Sequence, residues 1–304
     1  MLVDSATVYY RAFFALPESM TAPDGRPNNA IRGFFESLAR LISTFKPQGL
    51  ICAWDGDWRP QFRIDAWPAY KAHRVADDGG EEEPDTLTPQ VTALADLLDC
   101  LGLCRLAHDD YEADDILATA AAHARSMGYQ SADIVTSDRD LLQCVDDAAG
   151  VQVLSIAKGI SNTEPIDDSV VAGRYGVTSR QYRDFATLRG DASDGMPGVP
   201  GIGEKTAAAL LAEFGDLISI RKAATDAASS LKPGVRRRLL DAETTLDALT
   251  LVTTVVTDVP LGEVWPDLPA TVHDEKRLAL LADEWGVRHS LRQLMSVTHS
   301  KPLE

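Results

Sequence analysis

The chain has 304 residues, more than one average domain, with 45% hydrophobic and 25% charged residues, a balance that excludes disordered, collagenous and coiled-coil classes. No apolar run is long enough to cross a bilayer, and the start at Met1-Leu2-Val3-Asp4 lacks a basic and apolar leader, so a cytoplasmic monomer without a membrane partner is expected. Cys52, Cys100, Cys104 and Cys144 show no C-x-x-C spacing, and 46 acidic against 29 basic residues give −17, which opposes nucleic acid unless the acids converge on bound cations.

Leu2-Val3 reads as a strand, followed by an amphipathic stretch from Thr7 to Ala15. Asn29 to Phe45 is a helix with Ile31, Phe34, Phe35, Leu38, Leu41 and Ile42 on one face. Gly49 to Trp54 is a buried strand, Thr88 to Leu101 a helix, Leu103 to Leu106 a strand and Ala113 to Met127 a helix. Ala132 to Ser137 and Val151 to Ser155 complete the strands. Strands alternating with helices of this length predict βαβ units and an α/β fold with a mostly parallel sheet, helices on both faces. Beyond about 165 the strand signal fades, and helices are expected at Asp167 to Tyr175, Ser179 to Leu188, Glu204 to Phe214 and Val235 to Leu251. Between Pro68 and Thr86 neither pattern holds: Tyr70 to Arg74 is basic and Asp77 to Asp85 acidic with two glycines, and the acidic part reads as a mobile, exposed loop.

Three strands end in an aspartate: Asp4, Asp55 and Asp138. In a parallel sheet these emerge along one edge, where open α/β sheets place ligands. Glu112, Asp114 and Asp115 open the helix after the third strand, Asp140 follows Asp138, and Asp191 and Asp194 start the helical region. Any one of Glu112, Asp114, Asp115 and Asp138 could be a helix cap alone. Nine carboxylates on one rim would repel strongly without cations, and an oxygen-only set suits hard ions, Mg²⁺ or Mn²⁺, two of them forming the usual clamp for phosphodiester hydrolysis.

A second signal is Gly198-Val199-Pro200-Gly201-Ile202-Gly203-Glu204-Lys205-Thr206. Its glycines allow close approach of a tight hairpin, the following helix offers free N–H groups, and Lys205 adds a charge. That is the helix-hairpin-helix pattern, which grips a DNA backbone through phosphates. Gly198, Gly201, Ile202, Gly203, Lys205 and Thr206 are therefore candidate DNA contacts. Arg236-Arg237-Arg238 fits either a phosphate contact or a solvated helix face.

The motifs MLVD…YRAFFALP, AWDG, FR…YKAHR, YEADD, TSDRDLLQ and LRGDASDGMPGVPGIGEKTA, in this order over about residues 1–290, resemble the bacterial 5′-nuclease (flap endonuclease) family, including the 5′-nuclease domain of bacterial DNA polymerase I. The resemblance implies a PIN-like fold with a helical arch and a helix-three-turn-helix DNA clamp. It implies a metal-dependent core over 1–164 with the arch at 68–86, and a helical module over 165–304 whose last helices pack back on the core. Asp4, Asp55, Glu112 and Asp114 would surround one metal; Asp138, Asp140 and Asp191 would join Asp114 around another, with Asp115 and Asp194 acting through water or a further ion. A K⁺ ion would rest on backbone oxygens of Val199 and Ile202 in the clamp.

The implied activity is 5′-flap endonuclease and 5′→3′ exonuclease action on DNA in replication and repair. Lys71 and Arg74 would neutralise charge on the phosphoryl oxygens, and Tyr10 would either stack on a base or belong to the core. A helix begun at Ala69 would place Lys71 and Arg74 on one face, and the segment Tyr70 to Asp85 is expected to be open until a strand passes beneath it. With no polymerase domain after residue 304, a stand-alone nuclease is expected. Two rivals remain: a small single-strand ribonuclease, which needs no second module, and a DNA-structure binder that does not cleave.

Overall fold

A computed structural model describes residues 1–76, 79–264 and 266–299. Its strands are β1 (Leu2–Asp4), β2 (Ile51–Ala53), β3 (Cys104–Leu106), β4 (Ala132–Thr136), β5 (Val151–Ser155) and β6 (Glu164–Ile166). The helices begin with α1 (Ser5–Ala15), α2 (Asn29–Phe45), α3 (Gln61–Ala66), α4 (Thr88–Leu101), α5 (Ala113–His123) and α6 (Asp168–Tyr175). They continue with α7 (Ser179–Arg189), α8 (Glu204–Phe214), α9 (Leu217–Thr225), α10 (Pro233–Asp241), α11 (Glu243–Thr253), α12 (Glu275–Glu284) and α13 (Arg288–Thr298).

The sheet runs β3-β2-β1-β4-β5-β6, with every pair parallel except the antiparallel β5–β6. Strand side chains alternate between faces. Val3, Cys52, Val135 and Leu154 enter a core with α1, α2, α4, α12 and α13, whereas Leu2, Ile51, Ala53, Ile134 and Val153 enter one with α5 and the later helices. The stripe Ile31, Phe34, Phe35, Leu38, Leu41 and Ile42 of α2 is buried, each large side chain contributing about 1.5–3 kcal/mol. α13 packs on α2 and α12 on α4, so the chain's end covers the first helices.

From β1 the sheet grows in one direction through β2 and β3, and from β4 in the other through β5 and β6. The crevice outside the strand ends at such a reversal is where these sheets bind ligands. Asp4 closes β1 and Asp138 follows β4, so the two flank that crevice.

β6 pairs with β5 through Leu154↔Pro165, so the sheet reaches just past residue 164. Several expectations are corrected. The single helix expected over Val235 to Leu251 is two, α10 and α11, broken at Ala242. α3 lies in a stretch where no helix was expected, and α9, α12 and α13 fall in the expected helical region at positions that periodicity did not locate. The arch segment 68–86 holds no long helix among the described residues: a single 3-10 turn, Ala72–Arg74, is followed by a bridge between Val75 and Glu81. No helix among the described residues is long and apolar enough to cross a membrane.

Candidate active site

The crevice opens into a cleft of about 580 Å³ lined by Asp4, Asp55, Glu112, Asp114 and Asp138, with Lys71, Arg74, Tyr10 and Arg11 facing them. Local structure fixes each acid. Asp4 is the N-cap of α1, accepting the Thr7 N–H at 3.0 Å, and its other oxygen accepts the Thr136 hydroxyl of β4 at 2.7 Å. Thr136 in turn accepts the Asp138 N–H at 2.9 Å, so one hydroxyl stitches the two aspartates across the crevice. Asp55 accepts the Ala113 N–H at 2.8 Å, and Glu112 caps α5 in a reciprocal capping box with Asp115.

The acids crowd one another. Burial pushes the Asp55 carboxyl up to about 7, against the Ala113 N–H and Lys71 and with Glu112 and Asp4 adding repulsion. Burial likewise lifts Asp138 to about 6, opposed by the Asp140 N–H. Asp114 and Asp140 are raised well above the usual carboxylate range by burial first and by neighbouring carboxylates second. Asp140, Asp191 and Asp194 flank the cleft on short turns, and their charges act on Asp138 or on one another.

The basic partners are already in place, contrary to the expectation that they reach the acids only with substrate. Lys71 Nζ donates to Glu112 Oε2 at 2.6 Å and to the Trp58 carbonyl at 3.2 Å. Burial works against its charge, but the Glu112, Asp194 and Asp55 carboxylates together outweigh this and raise the Lys71 pKa. Arg74 donates to Asp194 Oδ1 and to the Ser193 carbonyl, both at 2.8 Å. Lys71 does not sit on a helix: its φ of +47° is left-handed, a conformation costing a non-glycine residue about 1–2 kcal/mol. The segment is nonetheless held, because Lys71 N–H donates to the Asp194 carbonyl at 3.0 Å and Trp67 Nε1 to the Gly195 carbonyl at 2.9 Å. Gly195 permits this contact: at φ +72°, a Cβ there would lie 2.5 Å from the Ala69 oxygen.

The acidic continuation is likewise not a free loop where it is described; Asp77 and Asp78 lie outside the described residues. Glu81 lines the cleft, and Glu83 accepts the Tyr10 hydroxyl at 2.9 Å and the Thr88 hydroxyl at 3.1 Å. Tyr10 is thus tethered on the cleft wall, its ring parallel to that of the exposed Phe14.

Asp115 departs from the metal set. It is fully buried behind the cleft, and both its oxygens receive the Arg63 guanidinium, at 2.7 and 2.8 Å. Unlike Glu112 and Asp114, it is not among the residues that line the cleft. Sequence reasoning missed Arg63, Tyr70, Thr136 and Glu81; Arg63 and Tyr70 lie in the FR…YKAHR motif beside the assigned Lys71 and Arg74, and that neighbourhood was the available signal.

Among the described residues no three Asp, Glu, His or Cys side chains are already gathered into one cation cage. The residues nevertheless fit hard divalent ions: the donors are all oxygen, four carboxyls are destabilised as anions, and the buried Asp140 Oδ1 has no hydrogen-bond partner.

The hairpin is built from backbone. Gly198, at φ +62°, approaches Gly190 so closely that a Cβ would lie 2.4 Å from the Gly190 nitrogen. Val199 and Ile202 are buried, and Ile202 N–H donates to the Val199 carbonyl at 2.9 Å. Gly201 is at φ +79°, and its carbonyl accepts Arg238 Nη1 at 3.1 Å. Gly203 is the N-cap of α8, whose first turn presents exposed Lys205 and half-buried Thr206.

The family model "5′-3′ exonuclease, N-terminal resolvase-like domain" matches residues 1–176, and "5′-3′ exonuclease, C-terminal SAM fold" matches residues 177–276. A 5′-3′ exonuclease of Streptomyces coelicolor is 46% identical over 97% of this chain and 99% of its own, and one of Mycobacterium tuberculosis 42% identical over 99% and 98%. DNA polymerase I of Mycobacterium bovis is 36% identical over 95% of this chain, which spans 30% of that enzyme. Among solved structures, the bacteriophage T5 flap endonuclease with DNA and metal ions shares the fold at TM-score 0.65 and 18% identity, covering 84% of this chain and 88% of that one. The catalytic core of Rad2 with DNA aligns at TM-score 0.59 and 17% identity, over 97% and 91% of the two chains. With both parts of the chain matched and near-full-length relatives above 40% identity, the chain belongs to the 5′-3′ exonuclease family and is a nuclease of that class.

Proposed function

We propose that the chain is a structure-specific DNA nuclease that removes 5′ flaps and degrades from 5′ ends, using two or three divalent cations in the cleft. The observation that carries this reading is the convergence of Asp4, Asp55, Glu112, Asp114 and Asp138 with Lys71 and Arg74 around one cleft at the sheet's reversal point. Asp4, Asp55, Glu112 and Asp114 would hold one ion; Asp138, Asp140 and Asp191, with Asp114 between, would hold another, and Asp194 would act through water. Mg²⁺ or Mn²⁺, when bound, would supply Lewis acidity at the scissile phosphate.

The protein's own groups do the rest. Lys71 and Arg74 present fixed positive charge to the phosphoryl oxygens as negative charge grows in the transition state, without reorganising at that moment. Thr136 and the Ala113 N–H orient Asp4 and Asp55 toward the cleft. The Gly198 to Thr206 hairpin supplies affinity through phosphate contacts, with Lys205 as its charge, and Arg238 braces its Gly201 carbonyl. A K⁺ ion on the carbonyls of Val199 and Ile202 belongs to the same reading. The proposed division places the nuclease core over 1–164 and the DNA-gripping helical module over 165–304, acting as a monomer in the cytoplasm. The deciding experiment is cleavage of a 5′-flap duplex with Mg²⁺, with Mn²⁺ and with EDTA; binding without metal-dependent cleavage would instead favour the non-cleaving rival.

A further inference from the structure

Behind the cleft lies a buried charge cluster that the proposed chemistry does not use. Arg63 of α3 is 2% exposed and Asp115 of α5 is fully buried. The two form a bidentate pair, and Arg63 Nη1 also lies 3.2 Å from Glu112 Oε1. The remaining contacts tie the cluster to the end of α11: Arg63 donates to the carbonyls of Val252 and Thr254 at 3.3 and 3.4 Å, and Asp115 Oδ1 accepts the Val256 N–H at 2.8 Å. On its other side Glu112 accepts Tyr70 OH at 2.7 Å and Lys71 Nζ at 2.6 Å.

A buried ion pair is poor value as a stabiliser, because desolvation offsets most of the attraction. A planar guanidinium, however, fixes carboxylates in direction, which an apolar side chain cannot do. We propose that Arg63 and Asp115 are positioning residues for the nuclease centre. Asp115 locks the guanidinium plane, the guanidinium holds the Glu112 carboxylate toward the cleft, and Glu112 holds Lys71. The inference rests on the cation-dependent nuclease reading above.

The test is the double variant Arg63→Met/Asp115→Leu, which removes both charges and leaves apolar volume in their place. Swapping a buried pair for apolar volume is often neutral or stabilising, but here the Val256 N–H also loses its acceptor, so some loss in melting temperature is expected whatever the role of the pair. The result that carries the proposal is Mn²⁺ binding weakened about tenfold or more in the folded variant, with a single-turnover flap-cleavage rate reduced by at least as much. Flap affinity should change less than about twofold. A merely structural role would move melting and leave Mn²⁺ affinity alone. Arg63→Lys keeps the charge without the fork and carries the same Mn²⁺ readout should the double variant not fold. A folded variant that binds Mn²⁺ and cleaves like the parent overturns the proposal. Glu112→Gln separates the two failures: if it leaves Mn²⁺ binding unchanged, the cation reading falls and this inference with it. If it weakens binding while the Arg63 variants do not, this inference alone falls.

Discussion

The cleft and the hairpin face the same ligand with opposite construction. In the cleft, like charges are forced together and restrained by hydrogen bonds: Asp4 by Thr7 and Thr136, Asp55 by the Ala113 N–H, Glu112 by Tyr70, Lys71 and Arg63. The hairpin has almost no charge of its own; its shape comes from Gly198 and Gly201 at positive φ and from buried Val199 and Ile202. Chemistry needs side chains held against their own repulsion, whereas a grip on phosphate needs backbone N–H groups in the right place. Damage to the cleft should therefore stop turnover and spare binding, and damage to the hairpin should do the reverse.

The sharpest break of that contrast is Asp138→Ala or Asp140→Ala. Either should remove several kcal/mol of transition-state stabilisation, more than about a thousandfold in single-turnover rate, while flap DNA stays bound. Cleavage within tenfold of the parent by either variant would sink the assignment. Lys71→Ala comes next, with a fall of about a hundredfold at saturating DNA and little change in affinity. A loss confined to affinity would make Lys71 a backbone contact.

The cleft should also store instability that cations relieve. Saturation with Mn²⁺ at a hundredfold excess over Kd stabilises by about 2.7 kcal/mol, read as a shift in thermal melting against EDTA. The pH dependence follows from Asp55 near 7 and Asp138 near 6. Both lie above the ordinary carboxylate value, so the folded protein binds more protons than the unfolded chain. In EDTA, the contribution of these two groups should be fully present below the ordinary carboxylate value, near pH 4, and be lost as pH rises through 6 and 7; the Mn²⁺ gain should grow over the same interval. Melts in EDTA that are flat from pH 5 to 8 would contradict the crowding.

The hairpin sets the smallest effect. Lys205→Ala should weaken duplex binding by about 1 kcal/mol and lower the salt slope by about one unit, leaving single-turnover cleavage at saturating DNA intact. An unchanged salt slope would mean that Lys205 touches no phosphate.

Much of this arrangement is legible in the amino-acid sequence. Apolar periodicity marks α1, α2, α4, α5 and the parallel strands, and an aspartate at three strand ends predicts one acidic edge, since parallel strands share a direction. Glycines at Gly198 and Gly201 mark the hairpin because positive φ leaves a local signature. What periodicity cannot reveal is which oxygen each carboxylate offers to whom. Asp115 looks like its neighbour Asp114, yet one turns inward to Arg63, 52 residues away in sequence, and the other lines the cleft. The acidic stretch after Arg74 reads as a solvated loop by composition, but Glu83 is held by the hydroxyl of Tyr10, 73 residues away in sequence, and Glu81 lines the cleft itself. The sequence alone determined which residues are charged and which strand ends share an edge, because those follow from local pattern and chain direction. Only the tertiary structure decided which acids are neutralised by buried cations and which remain open, because that depends on side chains meeting across elements distant in the chain.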